Sequence, residues 1–323
     1  MRQPLSEAVR TAPLLLTEGA VIERLRREFC LPLDEDFLHA AFIYDEGHRS
    51  ILRQIYAEYI RILTPTKAPF ILFTPTWRAT PERLAVKGLD VQTVNRDNVR
   101  FLQTVRSEHP EAEERIYLGG LMGCRGDAYL PEEALSESDA ITFHRAQAEA
   151  LMDAGADFLF ASTLPACSEA IGMARVFSRI TSSYMLSFIV RADGTLLDGT
   201  PLHAAISEID AHVSPAPLAY MINCVHPHVF EAAVHHPQNS SSFARSRILG
   251  LQANTSEKTP EELDGLHELD TAEADPFALE LTSLRSTCGI RLLGGCCGTD
   301  GRHIAALAHL IAMENRGAAG RSG

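Results

Sequence analysis

Short apolar runs alternate with longer amphipathic stretches along this chain. The runs contain little polar alternation, which is typical of parallel strands that are buried on both faces. Eight such runs occur, at residues 13–17, 69–74, 115–120, 157–161, 184–190, 218–223, 247–252 and 290–293. Eight strands that are each followed by a helix predict an α/β fold, a closed (β/α)₈ TIM barrel rather than an open sheet.

The stretches between the runs show helical periodicity. A helix predicted over 46–63 places four apolar side chains on one face, namely Ile51, Ile55, Tyr59 and Ile62. A second helix, over 139–154, is predicted to start after an N-cap at Ser138. Two further helices are predicted over 277–288 and 303–313.

The length and the linker content favour one domain. A chain of 323 residues suits a single α/β barrel, which takes about 250 residues plus insertions. Because no segment rich in Pro, Gly and Ser divides the chain, we expect one barrel domain over 1–314 and a flexible tail over 315–323.

Composition and charge exclude several partners. Hydrophobic residues make up 46% of the chain and charged residues 22%, as in ordinary globular proteins. The net charge of −13 repels phosphate backbones, so nucleic acid is not an expected partner. We expect no membrane span, because no run of about 18 apolar residues occurs. The polar first eleven residues lack the apolar core of a secretory signal, so a cytoplasmic location is predicted; homo-oligomerisation stays open.

Three of the seven cysteines lie at predicted strand ends. Strand six ends in Asn223-Cys224, and strand eight runs into Gly294-Gly-Cys-Cys-Gly-Thr299. Active sites of such barrels lie at the carboxyl ends of the strands, so Cys224, Cys296 and Cys297 are expected to converge there. Three thiolates suit Zn²⁺ and leave a fourth position open, as in a catalytic site. The other four cysteines lack this spacing and are interpreted as structural: Cys30, Cys124, Cys167 and Cys288.

The segments 222–224 and 294–299 resemble the two zinc-binding motifs of the homocysteine S-methyltransferase family. Segments 144–147, 155–157, 186–188 and 198–200 are similar to further parts of that family, in the same order. The resemblance implies Zn²⁺ on the three cysteines and transfer of a methyl group to a thiol, by default homocysteine, which gives methionine. The implied donor is S-methylmethionine, S-adenosylmethionine or a betaine. The residues that it implies for substrate binding are Glu18, Gly19, Ala20, Ser162, Asn223 and Asn254.

Two departures from the family pattern concern the acceptor. The family's first-strand motif, Asp-Gly-Gly/Ala-Met-Gly-Thr, reads Glu18-Gly-Ala-Val-Ile-Glu23 here, and Glu18 either meets the substrate amino group or caps the next helix. The family's Glu-Thr-Ile-Pro reads Ser162-Thr-Leu-Pro165, and a serine supplies no charge for the homocysteine ammonium. Homocysteine is then expected to bind more weakly, or the acceptor is another thiol.

A third departure follows strand two, where we interpret Thr76, Trp77 and Arg78 as a donor pocket. The aromatic face of Trp77 suits a methylated cation, and Arg78 suits a carboxylate. The alternatives are ordinary packing at the rim for Trp77 and a solvated charge or salt bridge for Arg78.

Two further interpretations stay open for the whole protein. A zinc hydrolase on the same barrel is disfavoured, because no His-x-His pair marks the first strand. A catalytically silent zinc-binding barrel is compatible with the departures above. His226, which follows Cys224 closely, either supports the metal site or simply starts a helix.

Overall fold

The computed structural model describes residues 2–258 and 271–319. Eight parallel strands form a closed barrel in which each strand pairs with the next and β8 pairs with β1. The strands are β1 (Leu15–Thr17), β2 (Phe70–Phe73), β3 (Ile116–Met122), β4 (Phe158–Leu164), β5 (Tyr184–Phe188), β6 (Ala219–Val225), β7 (Ile248–Ala253) and β8 (Leu292–Gly295). Every predicted run overlaps one of them, and β3, β4, β6, β7 and β8 extend one to three residues past the predicted end, so the predicted (β/α)₈ TIM barrel is confirmed.

Helices surround this barrel. They are α1 (Leu5–Thr11), α2 (Glu46–Leu63), α3 (Pro81–Ala85), α4 (Val91–Ser107), α5 (Glu137–Asp153), α6 (Cys167–Ile180), α7 (Leu202–His212), α8 (Pro227–His235), α9 (Ser242–Arg247), α10 (Ala274–Thr287) and α11 (Gly301–Ala319). Single 3₁₀ turns occur at Phe42–Tyr44, Thr64–Thr66, Glu113–Arg115, Pro131–Glu133 and Pro237–Asn239, and a π-helical turn occurs at Arg24–Glu28. Of the tail predicted at 315–323, residues 315–319 continue α11 and the rest lie outside the described residues.

Helix α2 has the predicted bounds, but its buried face is rotated slightly. Ile55 and Tyr59 are buried as expected, whereas Ile51 and Ile62 are only half-buried. The buried face also includes Leu52, Tyr56, Ile60 and Leu63. The reason is that long side chains on a helix lean towards its N-terminus, so the covered surface is displaced from the simple spacing.

Helix α5 starts earlier than predicted, which corrects the N-cap. Ser136, and not Ser138, is the cap: its hydroxyl accepts a hydrogen bond from the Asp139 backbone N–H at 3.2 Å. A cap residue bonds to the N–H three positions later, and an acid at that position returns the contact. Asp139 makes a different return contact, because its carboxylate accepts from the Ser136 hydroxyl at 2.7 Å.

The apolar core has two parts. One lies between the barrel and the surrounding helices, and the other fills the barrel interior. In the interior, Phe73 stacks on Phe160 with ring centroids 4.6 Å apart, and Leu5 and Val9 of α1 are buried in the same cluster. The N-terminal helix therefore packs onto the apolar barrel interior. No helix within 2–258 and 271–319 is long and apolar enough to cross a membrane.

Candidate metal centre at the barrel mouth

The three predicted cysteines meet at the carboxyl ends of β6 and β8. The Sγ atoms of Cys224 and Cys296 are 2.7 Å apart, those of Cys296 and Cys297 are 4.0 Å apart, and all three lie within 4.8 Å of one another. Zinc–sulfur bonds of about 2.3 Å in a tetrahedron place sulfurs about 3.8 Å apart, a value that these distances bracket. The donor set therefore fits one ion of the zinc class.

Cys224 enters the mouth through an unusual backbone. Its φ is +57°, and the β6–β7 register shifts between Asn223 and Val225, so Cys224 forms a bulge. Thr163 at the end of β4 also has a left-handed φ, +59°, beside a register shift in the β4–β5 pair. Each such residue costs about 1–3 kcal/mol, and bulges of this kind re-aim side chains near active sites.

Asn223 connects these two strained positions. Its Oδ1 accepts from the Thr163 N–H at 3.0 Å and from the Ser187 hydroxyl at 2.6 Å, and its Nδ2 donates to Thr163 Oγ1 at 2.6 Å. The Thr163 hydroxyl lies 4.0 Å from Cys224 Sγ. Because all these side-chain groups are buried and paired, Asn223 acts mainly as a brace between β4, β5 and β6.

The glycines around the cysteine pair have two different roles. A Cβ on Gly294 would lie 1.8 Å from Thr17 Oγ1, so this glycine permits the close approach of β8 to β1. Gly298 has a φ of +81° and makes the turn after the pair. The Thr299 hydroxyl then donates to the Cys296 carbonyl at 2.7 Å, which closes the turn.

The titration of the three thiols is mutually dependent. Hydrogen bonds from Cys296 and Cys297 hold the pKa of Cys224 well below its usual range. The same bonds to Cys224 raise the pKa of Cys296 and of Cys297. One thiolate is thus stabilised by two protonated neighbours, and three thiolates together require a cation between them.

Glu18 does not cap a helix, which decides one of the alternatives for this residue. Its carboxylate is buried and accepts from the Phe73 backbone N–H at 3.2 Å. Burial raises the pKa of Glu18 well above its usual value, and the bond to Phe73 only partly opposes this. Glu18 therefore holds a proton more readily than an exposed carboxyl does.

The two residues after Glu18 are held by the protein itself. The Ala20 N–H donates to Thr299 Oγ1 at 3.0 Å, and the Ala20 carbonyl accepts from the Tyr59 hydroxyl at 2.7 Å. A Cβ on Gly19 would lie 2.9 Å from that hydroxyl. Gly19 and Ala20 thus shape this wall of the mouth, and the Ala20 backbone groups are already bonded.

Ser162 and Asn254 lie on opposite sides of Cys224. The Ser162 hydroxyl is buried and bonds to Thr163 Oγ1 at 3.2 Å. The backbone N–H of Asn254 donates to the Val225 carbonyl at 2.9 Å, but its buried side-chain Oδ1 has no hydrogen-bond partner among residues 2–258 and 271–319. A buried oxygen of this kind is costly to leave unpaired, which points to a ligand group that it accepts from.

The three residues predicted for the donor pocket are held by different contacts. The Thr76 hydroxyl is fully buried and donates to the Leu121 carbonyl at 2.7 Å, so Thr76 is a structural residue. The Arg78 guanidinium carbon lies 4.5 Å from the ring centroid of Trp77, and Arg78 also donates to the Gly126 carbonyl. The guanidinium therefore covers one face of the indole that was expected to receive a cationic donor.

Two residues beside the thiols were not singled out from the sequence. The charge of Cys224, burial and a hydrogen bond to Cys224 raise the pKa of Tyr129, which places its hydroxyl against the thiols. Glu23, in the position of the family's threonine, accepts from the Gly298 N–H beside Cys297, and burial raises its pKa. The acid at 23 is visible in the sequence, but no motif marks Tyr129, which lies in a loop.

The loop that carries Tyr129 is anchored by the buried side chain of Glu169. Glu169 Oε1 accepts from the Arg125 N–H at 2.7 Å and Oε2 from the Leu135 N–H at 3.1 Å. The same carboxylate contacts His144 Nε2 at 2.7 Å, and both side chains are fully buried. The two ends of the loop are thereby fixed to α6, which sets where Tyr129 can reach.

Comparison with known proteins agrees with this architecture. The family model described as homocysteine S-methyltransferase matches residues 15–311, which include all eight strands and the three cysteines. Fold and site together define a barrel enzyme of the methyltransferase class. The chain belongs to the homocysteine S-methyltransferase family, which confirms the resemblance seen in its motifs.

Curated relatives and solved structures agree over nearly the whole length. The homocysteine S-methyltransferase YbgG of Bacillus subtilis is 25% identical over 94% of this chain and 96% of its own. The Escherichia coli homocysteine S-methyltransferase is 27% identical over 94% of this chain and 97% of its own. The crystal structure of the oxidised form of E. coli MmuM has a TM-score of 0.76 at 26% identity, covering 96% of this chain and all of that one.

Proposed function

We propose that this protein is a zinc-dependent S-methyltransferase that transfers a methyl group from a small sulfonium or ammonium donor to the thiol of homocysteine. The observation that carries the proposal is the convergence of Cys224, Cys296 and Cys297 at the mouth of a closed barrel. Both curated relatives are named homocysteine S-methyltransferases, and a structure of E. coli MmuM is described as its metallated form. We infer a cytoplasmic location, where unpaired cysteines stay reduced.

Cys224, Cys296 and Cys297 would hold the ion, leaving one position for the substrate sulfur. A bound zinc ion would supply Lewis acidity that lowers the pKa of the acceptor thiol while keeping its sulfur nucleophilic. The braces at Asn223 and Thr299 fix where the three sulfurs point, so the acceptor is oriented before reaction.

The methyl transfer itself balances without a further co-reactant. The acceptor loses its thiol proton, a new sulfur–carbon bond forms, and the bond from the methyl carbon to the donor atom breaks. The electron pair of that bond stays with the donor sulfur or nitrogen, which becomes neutral. The chain has to hold the two substrates in line, and such alignment provides much of the acceleration.

The acceptor ammonium is assigned to the acidic wall beside the thiols. Ser162 cannot supply the charge, but Glu18 and Glu23 bring two carboxyls to the end of β1, and Asn254 offers an unpaired Oδ1. A bound ammonium would favour the ionised form of these carboxyls, whose pKa values burial raises. Gly19 and Ala20 contribute the backbone that shapes this wall.

The donor is assigned to the opposite side of the mouth. Arg78 is the cation there that suits a donor carboxylate, and Trp77 holds it in place by stacking. Tyr129, whose pKa the neighbouring thiols raise, stands beside the position that the acceptor sulfur would take. Thr76 is fully buried and bonded to the Leu121 carbonyl, so we assign it a supporting role rather than a donor contact.

A different thiol acceptor is the second candidate, and Ser162 is the observation that favours it. Replacing the family's glutamate with Ser162 would not weaken the binding of a thiol that has no ammonium group. Homocysteine, by contrast, loses a charge-assisted hydrogen bond to its ammonium.

The test is an activity screen of reduced, zinc-loaded protein across thiols and methyl donors, with methylated product measured by mass spectrometry. We expect methionine from homocysteine with one of S-methylmethionine, S-adenosylmethionine or a betaine. Faster methylation of an amine-free thiol would replace homocysteine as the acceptor. Stoichiometric zinc binding without methyl transfer to any thiol would favour the interpretation as a catalytically silent zinc-binding barrel.

A further inference from the structure

Two histidines and two glutamates gather just outside the three-cysteine centre. His226 and His228 lie at the start of α8, Glu257 follows β7, and Glu280 lies on α10. The His226 side chain is only 6% exposed. The exposed fraction is 58% for His228, 67% for Glu257 and 40% for Glu280. We propose that His226, His228 and Glu257 bind a second divalent cation of the zinc class.

The Nδ1 atoms of His226 and His228 both face Glu257. Its Oε1 lies 2.9 Å from His228 Nδ1 and 4.0 Å from His226 Nδ1. Zinc bonds to imidazole nitrogen and carboxylate oxygen of about 2.0–2.1 Å place neighbouring donors about 3.3 Å apart in a tetrahedron. The two distances bracket that value, so small side-chain rotations bring all three atoms onto one ion.

The opposite nitrogen of each ring faces Glu280. His226 Nε2 lies 3.6 Å from Oε2 and His228 Nε2 lies 3.9 Å from Oε1. An imidazole that binds metal through Nδ1 carries its proton on Nε2 and usually donates it to a carboxylate. Both distances exceed a hydrogen bond, so small side-chain rotations would have to bring Glu280 within reach of the two protons. In the metal-free protein His228 Nδ1 donates to Glu257 at 2.9 Å, and metal binding would move that proton to Nε2, on the side of Glu280.

His226 already has the required tautomer. Its Nδ1 accepts the His228 backbone N–H at 3.3 Å, so this nitrogen carries a lone pair that an ion could take over. The N-terminus of α8 disfavours a cation, but two carboxylates beside the rings provide the opposite charge. The neutral nitrogen and carboxylate donors suit zinc rather than a hard cation such as Mg²⁺.

An ion at this place would connect three separate parts of the mouth. It would tie the turn after β6, two residues beyond Cys224, to the segment after β7, with α10 held through Glu280. The cluster differs in donor type from the three cysteines, and this difference makes the two sites separable by spectroscopy.

The experiment counts metal ions in the untagged full chain. Reduced protein is stripped with a chelator and titrated with Zn²⁺ against a chromophoric competitor, and a parallel titration uses Co²⁺. We expect two equivalents of Zn²⁺ in the unaltered chain and one in His228→Ala or Glu257→Gln. Glu280→Gln should keep two, with the second weakened about 10- to 100-fold.

The absorption spectrum of the Co²⁺-loaded protein shows which of the two sites a variant has lost. It also shows that the cysteine site, and therefore the fold around it, is intact. The intense thiolate-to-cobalt absorption should stay unchanged in His228→Ala, because only nitrogen and oxygen donors were altered. His212→Ala, in an exposed pair 3.2 Å from Glu208, is the matched control and should keep two equivalents.

Two results would overturn the proposal. One is a count of a single Zn²⁺ equivalent in the unaltered chain, or of two Zn²⁺ equivalents in the His228→Ala variant. The other is loss of the second equivalent in His235→Ala, which would assign that ion to the separate group of Glu231, His235 and Cys288.

Discussion

The two sides of the barrel mouth are built in different ways. On the cysteine side, functional atoms are attached to strand ends, and Asn223 and Thr299 brace the backbone that carries them. On the Trp77 side, positions depend on side chains that hold one another: Arg78 stacks on Trp77, and the Trp77 indole N–H donates to the Ser162 carbonyl at 3.4 Å. Tyr129 reaches the thiols from a loop.

The difference agrees with the two tasks that we assign to these sides. A metal-ligand set tolerates little displacement, so strand ends and paired backbone groups suit it. A pocket for a small cation can change by loop and side-chain substitution on the same scaffold. We therefore expect substitutions on the cysteine side to abolish function, and those on the Trp77 side to change donor affinity.

The largest effect is expected for Cys297→Ala. Loss of a partner that only supports a metal ligand costs about 10- to 100-fold, so loss of a direct ligand should lower activity by at least about 100-fold. Zinc content is measured by mass spectrometry and activity by methionine formation. Cys30→Ala, which removes an exposed thiol, is the control. Retained zinc in Cys297→Ala would remove this residue from the metal site.

Asn223→Ala should come next, because it leaves the Thr163 N–H and the Ser187 hydroxyl without partners. Each buried unpaired group costs about 1–3 kcal/mol, so we expect unfolding free energy to fall by about 2–5 kcal/mol. Urea unfolding measures this. Ser187→Ala, which keeps the bonds between Asn223 and Thr163, should cost only about 1 kcal/mol. Equal losses in the two variants would argue against Asn223 as the brace.

Arg78→Lys probes the other side. The variant keeps a positive charge but loses the planar group that stacks on Trp77. A charge-assisted hydrogen bond contributes about 1.5–3 kcal/mol, so the KM of the donor should rise about tenfold or more, with kcat nearly unchanged. Arg83→Lys, in a neighbouring arginine that bonds to two backbone carbonyls, is the control. A fall in kcat alone would take Arg78 out of donor binding.

Ser162→Glu should give the smallest change, because Glu18 and Glu23 already supply acidic groups. We expect the KM of homocysteine to fall about three- to tenfold, less than a charge-assisted hydrogen bond gives to an unpaired ammonium. Ser162→Gln, of the same size without the charge, separates charge from volume. If both variants behave alike, residue 162 does not meet the ammonium.

The barrel and the cysteine trio could be predicted because they follow from local signals. Buried parallel strands appear as apolar runs, and adjacent cysteines between glycines leave few other interpretations. The left-handed φ of Cys224 and Thr163 carries no such signal, since both residues ordinarily avoid it. The contact of Tyr129 with the thiols depends on how Glu169 anchors a loop, and that long-range pairing has no sequence period.

The pairing of β8 with β1 also decides when the cysteine site can form during protein synthesis. Cys296 and Cys297 end the last strand of the barrel, and that strand must pair with the first before the ring is complete. A ribosome-bound chain that stops at β7 would have Cys224 alone at the mouth. We therefore expect the proposed metal ion to be captured late in folding, after the ring has closed.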